Sequence, residues 1–163
     1  PLVMQKRQLR PNSGGPGTWR GGLGQLTQFT NRSDGPWSAS CIVDRTKYAA
    51  PGLRKGEPGA IGEFILDNGE RPNPKQQTQF EIHQNVHLNT PGGGGYGDPL
   101  LRKTELVRQD VIEGYITLES AKEDYGVVIR FTGKEEELVR LPNQWIIDEE
   151  KTQKLRSSRS KLK

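Results

Sequence analysis

Thr90-Pro91-Gly92-Gly93-Gly94-Gly95-Tyr96-Gly97-Asp98-Pro99 is the stretch on which the reading of this chain turns. Gly92, Gly94 and Gly97 satisfy the spacing G-x-G-x-x-G. In a dinucleotide site that spacing follows a strand and opens a helix, whose N-terminus faces the pyrophosphate. Here the glycines run into Tyr96-Gly97-Asp98-Pro99, and a convincing helical pattern starts only near Thr104. No second parallel strand follows it. No Gly-Lys-Ser/Thr is present, so a phosphate-binding P-loop is excluded as well. The expectation is a closely packed glycine turn rather than a nucleotide cradle.

Upstream lies a second glycine-rich arm, Asn12-Ser13-Gly14-Gly15-Pro16-Gly17-Thr18-Trp19-Arg20-Gly21-Gly22-Leu23-Gly24-Gln25. Its glycines permit positive φ angles and close backbone approach. Short alternating segments surround it. Residues 1 to 11 read as a strand ended by Pro11. Leu26 to Thr30 read as another, and Trp37 to Val43 as a third with Ala39, Cys41 and Val43 on one face. Tyr48 to Gly62 is loop, punctuated by Pro51-Gly52 and Pro58-Gly59. Glu63 to Leu66 is a short strand, and Asp67-Asn68-Gly69 predicts a hairpin turn. Phe80 with Ile82, and Val86 with Leu88, give two further alternating pairs.

Downstream the period changes. Thr104 is a candidate N-cap, with Leu106, Val107, Val111 and Tyr115 at helical spacing and Gly114 as the stop. Thr117 is positioned to cap a second helix, with Leu118, Ala121 and Tyr125 inward and Gly126 closing it. Val127 to Phe131 is a β-branched run, and Glu135 to Glu137 open a charged segment read as solvated. The fold class is therefore α+β: short, mainly antiparallel strands followed by two helices.

Hydrophobic residues make up 31% of the 163-residue chain, with 20 glycines and 11 prolines. That is a thin apolar supply for one domain. The net charge of +4 would suit nucleic acid, but its distribution does not. Lys151 to Lys163 holds six basic and no acidic residues, and the remainder is slightly acidic. The end is expected to be a solvated basic tail, with no nucleic-acid partner. The single cysteine, Cys41, permits neither an intrachain disulfide nor a thiolate zinc site, and is expected to be a small buried hydrophobe. His83 and His87 lie four apart on strand-like segments without an evident third ligand, so no metal site is expected. Asp98 beside Pro99 suits a turn cap. Glu123 and Asp124 read as solvated charge. No Ser/His/Asp or Cys/His set emerges. No secretory signal or apolar span is present, which points to a cytoplasmic protein without a membrane partner.

The string from Thr90 to Pro99 resembles the signature near the end of hydantoinase-B-type subunits. That family includes N-methylhydantoinase, 5-oxoprolinase, acetone carboxylase and acetophenone carboxylase. Leu9-Arg10-Pro11-Asn12-Ser13-Gly14-Gly15-Pro16-Gly17, followed by Trp19-Arg20-Gly21-Gly22-Leu23-Gly24, resembles its glycine-rich arm. Pro51-Gly52-Leu53 with Gly56-Glu57-Pro58-Gly59 resembles its next loop. Asp110-Val111, Gly114, Ala121 and Tyr125-Gly126-Val127-Val128 resemble its closing helices and final strand. The likeness covers roughly residues 1 to 131, a carboxyl-terminal module. Residues 132–163 read as a charged extension without a match in the family.

Family subunits are usually much longer, so the resemblance implies a split subunit that completes the fold of a partner. The implied partners are a hydantoinase-A-like ATP-binding subunit and a truncated hydantoinase-B-like large subunit. The implied assembly is an obligate hetero-oligomer with an interface above about 2,000 Å². ATP, with magnesium or manganese, is expected in the complex, on the companion subunit; none is expected in this chain. The favoured activity is ATP-dependent, biotin-independent carboxylation of a ketone, as in acetophenone carboxylase. ATP-dependent hydrolysis of a cyclic amide and a non-catalytic scaffold are the alternatives. The chain alone is expected to be inactive, with no catalytic residue of its own. The candidate cavity-lining residues are Arg20, Gly92, Gly93, Gly94, Gly95 and Tyr96, with bracing of the cavity favoured over lining it.

Overall fold

The computed structural model describes residues 1–134 and 140–160. Strand β1 (Leu2–Leu9) pairs antiparallel with β2 (Gln25–Asn31), with an irregularity between Met4 and Lys6. Strands β3 (Trp37–Ser40) and β5 (Gln77–Phe80) form a separate antiparallel ribbon. Strand β4 (Glu63–Leu66) pairs with β6 (Val86–Asn89), which also pairs with β2. The larger sheet therefore runs β1-β2-β6-β4. Helices α1 (Thr104–Ile112) and α2 (Leu118–Glu123) follow. The chain closes with β7 (Ile129–Phe131), β8 (Trp145–Ile147) and α3 (Glu149–Ser160).

The α+β class with mainly antiparallel strands is as the periodicity indicates, although a third helix joins the expected two. Asp67-Asn68-Gly69 does make a turn: Gly69 has φ 84°, and its N–H donates to the Leu66 carbonyl at 2.9 Å. It does not join paired neighbours, because β4 takes β6 as its partner and β5 takes β3. A local turn signal fixes a reversal of direction. It does not fix which strand supplies the ladder.

Two apolar clusters divide the interior. Val43, Phe64, Leu66, Phe80 and Val86 form one, with Trp37, Ala39 and Cys41 packed against them. The face expected for Ala39, Cys41 and Val43 is thus the inward one. Burial raises the Cys41 thiol pKa, in keeping with a packing role. Val107, Val111, Ile116, Ala121, Tyr125, Val127, Ile129 and Trp145 form the other cluster.

The helix caps are half as expected. Thr117 accepts from the Ser120 N–H, and Gly114 and Gly126 end their helices at φ 71° and 64°. Thr104 is already inside α1; Lys103 holds the cap position, without a side-chain bond.

The reading of the end as a solvated basic tail is overturned. Strand β8 pairs with β7, and the Phe131 and Trp145 ring centroids lie 4.6 Å apart. In α3, the buried Thr152 hydroxyl accepts from the Val128 N–H at 3.0 Å. Arg156 donates to the carbonyls of Tyr125 at 3.0 Å and Arg102 at 2.9 Å. The basic side chains of α3 thus include structural donors aimed back at the body. Glu135 to Glu137 lie outside the described residues.

Candidate functional site: the glycine assembly and its charged clasp

Three glycine-rich passes, within residues 13–22, 50–60 and 92–97, pack together without forming a β-ladder. Their hydrogen bonds repeat every third residue. Gly92 and Gly95 donate to the carbonyls of Ala60 and Glu57. Gly93 and Tyr96 donate to those of Gly22 and Trp19. Ala60 and Glu57 donate in turn to Ser13 and Pro16, and Gly15 donates back to Gly93. Each step of three along one pass meets a step of three, reversed, along its neighbour. A β-strand repeats every two residues and bonds in one plane. A threefold extended helix can instead bond to neighbours in several directions.

Glycine is required here for close approach. A Cβ on Gly92 would sit 1.7 Å from the Ser13 carbonyl oxygen; on Gly94, 2.0 Å from that of Pro51; on Gly95, 2.0 Å from that of Pro16. Gly93 is more tolerant, with 3.3 Å to the nearest atom, and a Cβ on Gly22 would meet nothing within 4 Å. Positive φ, the other use open to these residues, occurs in these passes only at Gly97 among the glycines.

Where carbonyls already fill the space a Cβ would need, no room remains for a pyrophosphate. The run is followed by a short 3-10 turn, Pro99–Leu101, with Asp98 accepting from Leu100 N–H as its cap. The glycines therefore do not fit a nucleotide, in agreement with the reading of G-x-G-x-x-G as packing.

Arg20 leaves this assembly and enters a clasp with α1. Its Nε donates to Asp110 Oδ2 at 3.3 Å, its Nη1 to the Gly21 carbonyl at 2.8 Å, and its guanidinium lies 5.1 Å from the Tyr115 ring centroid. Arg102 Nη2 donates to the same Asp110 oxygen at 2.9 Å, and its Nη1 to the Thr18 carbonyl. Asp110 and Arg102 are both buried. The arrangement is a buried carboxylate between two arginines, joining glycine arm to helix. Tyr125 lies beside it; burial, opposed by the charge of Arg102, pushes its phenol up to about 12. Arg102 Nε and Tyr125 Oη are buried without a hydrogen-bond partner among the described residues.

Asp110 and Arg102 were not among the candidate site residues. A carboxylate beside the inward positions Val107 and Val111 was the available signal, since a buried acid needs a cation.

Tyr96 occupies a different position from the glycines that precede it. Backbone bridges place it beside Trp19 and Leu53, and all three side chains are exposed, at 43%, 65% and 64%. The Arg54 guanidinium lies 5.9 Å from its ring centroid. Arg54 and Lys55 have φ of 49° and 73°, in a turn closed by the Gly56 N–H donating to the Leu53 carbonyl at 2.9 Å. Gly92 to Gly95 thus form the interior of the assembly, and Trp19, Leu53 and Tyr96 an apolar corner. His83, at φ 60°, lies in a turn and His87 in β6. Among the described residues no group of three His, Cys, Asp or Glu could hold a metal ion. No helix among them is long and apolar enough to cross a membrane.

A mixed sheet-and-ribbon body tied by a glycine assembly to a helical end is the class of module these features define. Residues 1–99 match the family described as Hydantoinase B/oxoprolinase, and the chain belongs to that family. A putative D-/L-hydantoinase of the B type from Pseudomonas sp. (strain NS671) is 35% identical over 96% of this chain and 25% of its own length. The ATP-dependent caprolactamase structure from Pseudomonas jessenii superposes with a TM-score of 0.72 at 27% identity, over 96% of this chain and 26% of that one. A nucleotide-free acetone carboxylase structure gives 0.71 at 25% identity, over 99% and 25%. The chain thus spans about a quarter of the length of these relatives. The alignments also include the end beyond residue 131, where no counterpart was expected.

Proposed function

We propose that this chain completes the carboxyl-terminal part of a hydantoinase-B-type unit in an ATP-dependent, multi-subunit enzyme, and braces its reaction cavity rather than supplying a reacting group. The observation that carries this reading is the exposed corner of Trp19, Leu53 and Tyr96. Large exposed apolar side chains grouped at a rigid point suit a permanent protein interface. A chain of a quarter of its relatives' length has the remainder of such a unit to meet there. The buried ion cluster suits bracing too, since Asp110 occupies the donors of Arg20 that an anionic intermediate would need.

The favoured reaction is carboxylation of a ketone of the acetophenone-carboxylase kind, without biotin. ATP with magnesium or manganese belongs to a hydantoinase-A-like companion. Phosphorylation of an enol or amide oxygen by that companion would make the oxygen a better leaving group. Hydrolysis of a cyclic amide is the second reading, favoured by the 35% identity to a hydantoinase. The purified native complex separates the two. A carboxylase hydrolyses ATP only with ketone and bicarbonate together, whereas a cyclic-amide hydrolase needs a hydantoin or lactam and no bicarbonate. Recovery of the chain alone, as a stable monomer without ATP turnover, overturns both.

A further inference from the structure

Residues 44–48 and 71–75 face each other across an open cleft of about 760 Å³. None of its lining residues belongs to the glycine passes or to the Arg20–Asp110–Arg102 clasp. Arg45, Lys47, Arg71 and Lys75 line it, against one acid, Asp44. Lys75 bonds to the Asp44 carboxylate and holds its pKa below the ordinary value. Arg71 donates to Glu63 at 3.0 Å, but Glu63 also serves Arg10 at 2.7 Å, so one carboxylate is divided between two cations. The side chains of Arg45 and Lys47 have no ion-pair partner among the described residues.

The backbone adds to this excess. Arg45 has φ 54°, and its carbonyl accepts from Gly62 N–H at 2.9 Å, while Val43 N–H donates to Pro74 at 3.0 Å. These bonds tie the loop down on either side. The N–H groups of Arg45, Thr46, Lys47 and Tyr48 meanwhile donate to no acceptor among the described residues. Consecutive free amides around a left-handed residue form an anion-binding concavity. Asn73 accepts from Lys75 N–H through Oδ1, which leaves its amide NH2 as a further donor.

We propose that this cleft binds a phosphate-bearing anion of about diphosphate size. Phosphate oxygens accept several charge-assisted hydrogen bonds at once, which matches a wall of cations and amides whose one carboxylate is already occupied. The volume exceeds what a single orthophosphate fills. This reading is independent of the function proposed above.

The test is residue-resolved amine labelling of the native protein, purified with its bound subunits and read by mass spectrometry at constant ionic strength. Inorganic pyrophosphate is expected to slow labelling of Lys47 by about tenfold, leaving Lys6 on β1 and Lys103 unchanged. Arg45→Gln, at an exposed position, is expected to remove most of that protection without altering the thermal unfolding curve. Equal protection by ADP and pyrophosphate assigns the phosphates themselves as the recognised group. Protection by ADP at lower concentration, lost in Tyr48→Ala, assigns a nucleotide with its base on Tyr48. Uniform slowing of all lysines, or none, overturns the site. Protection by a glutamate-rich peptide but not by pyrophosphate overturns it in favour of an acidic protein segment.

Discussion

Arg20 and Asp110 are ninety residues apart in sequence and joined by hydrogen bonds from Nε at 3.3 Å and Nη2 at 3.5 Å. The bond couples the first glycine pass to α1, and Arg102 completes the cluster from the other side. A buried ion cluster is costly to assemble, and more costly to leave half-made.

Asp110→Asn should therefore destabilise the protein by about 3–5 kcal/mol, since two arginines lose their buried counter-charge. Arg20→Lys should cost less, because a single ammonium keeps the charge but loses the forked geometry. Urea unfolding of both variants checks the order.

The glycine passes give a sharper contrast. Gly92→Ala places a Cβ 1.7 Å from a backbone oxygen, whereas Gly22→Ala places one in open space. The first should cost about 3 kcal/mol or more, and the second should stay within about 0.5 kcal/mol of the parent. Soluble yield and melting temperature distinguish them.

Helix α3 is structural. Thr152→Val keeps the shape but strands the Val128 N–H that the hydroxyl accepts from. A loss of about 1–3 kcal/mol is expected. Deleting residues 149–163 should lower the melting temperature further. A tail in free solution would leave both curves unchanged.

Glu63 carries a pH dependence. Burial pushes its pKa up, but hydrogen bonds from Asn89 and Arg71 and the charge of Arg10 outweigh that and hold it below the usual value. A depressed carboxylate contributes stability that is present above its unfolded pKa, about 4.3, and lost as pH falls through the lower folded value. Glu63→Gln should therefore be less stable than the parent at neutral pH, with the difference shrinking below about pH 4. Unfolding measured at stepped pH tests the sign.

Trp19→Ala should leave the fold intact, because the ring is 65% exposed, yet release the chain from its complex. Size-exclusion chromatography of the co-expressed subunits reads this directly. Unchanged assembly would move the interface away from this corner.

Much of the local structure was legible beforehand. Strand β4 matches its expected bounds, Thr117 caps α2, and Gly114 and Gly126 adopt the left-handed stop. These features depend on neighbours within a few residues, so composition and period report them. Thr104 failed as a cap by one position, an offset that helix boundaries commonly show. The end of the chain was misread because its basic residues look solvated in sequence. Arg156 instead donates to two carbonyls that lie 31 and 54 residues upstream.

By itself the sequence determined the α+β class, the glycine character of two arms, the packing role of Gly92 to Gly95 and the likeness to a family. The strand order, the inward turn of α3 and the Asp110 cluster were decided only by the tertiary structure. The glycine assembly shows why. That close approach was needed could be read from the residues. The three-residue register between distant passes could not, because it is set by carbonyls of Ser13, Pro16, Glu57 and Ala60 that only the folded chain brings within bonding distance.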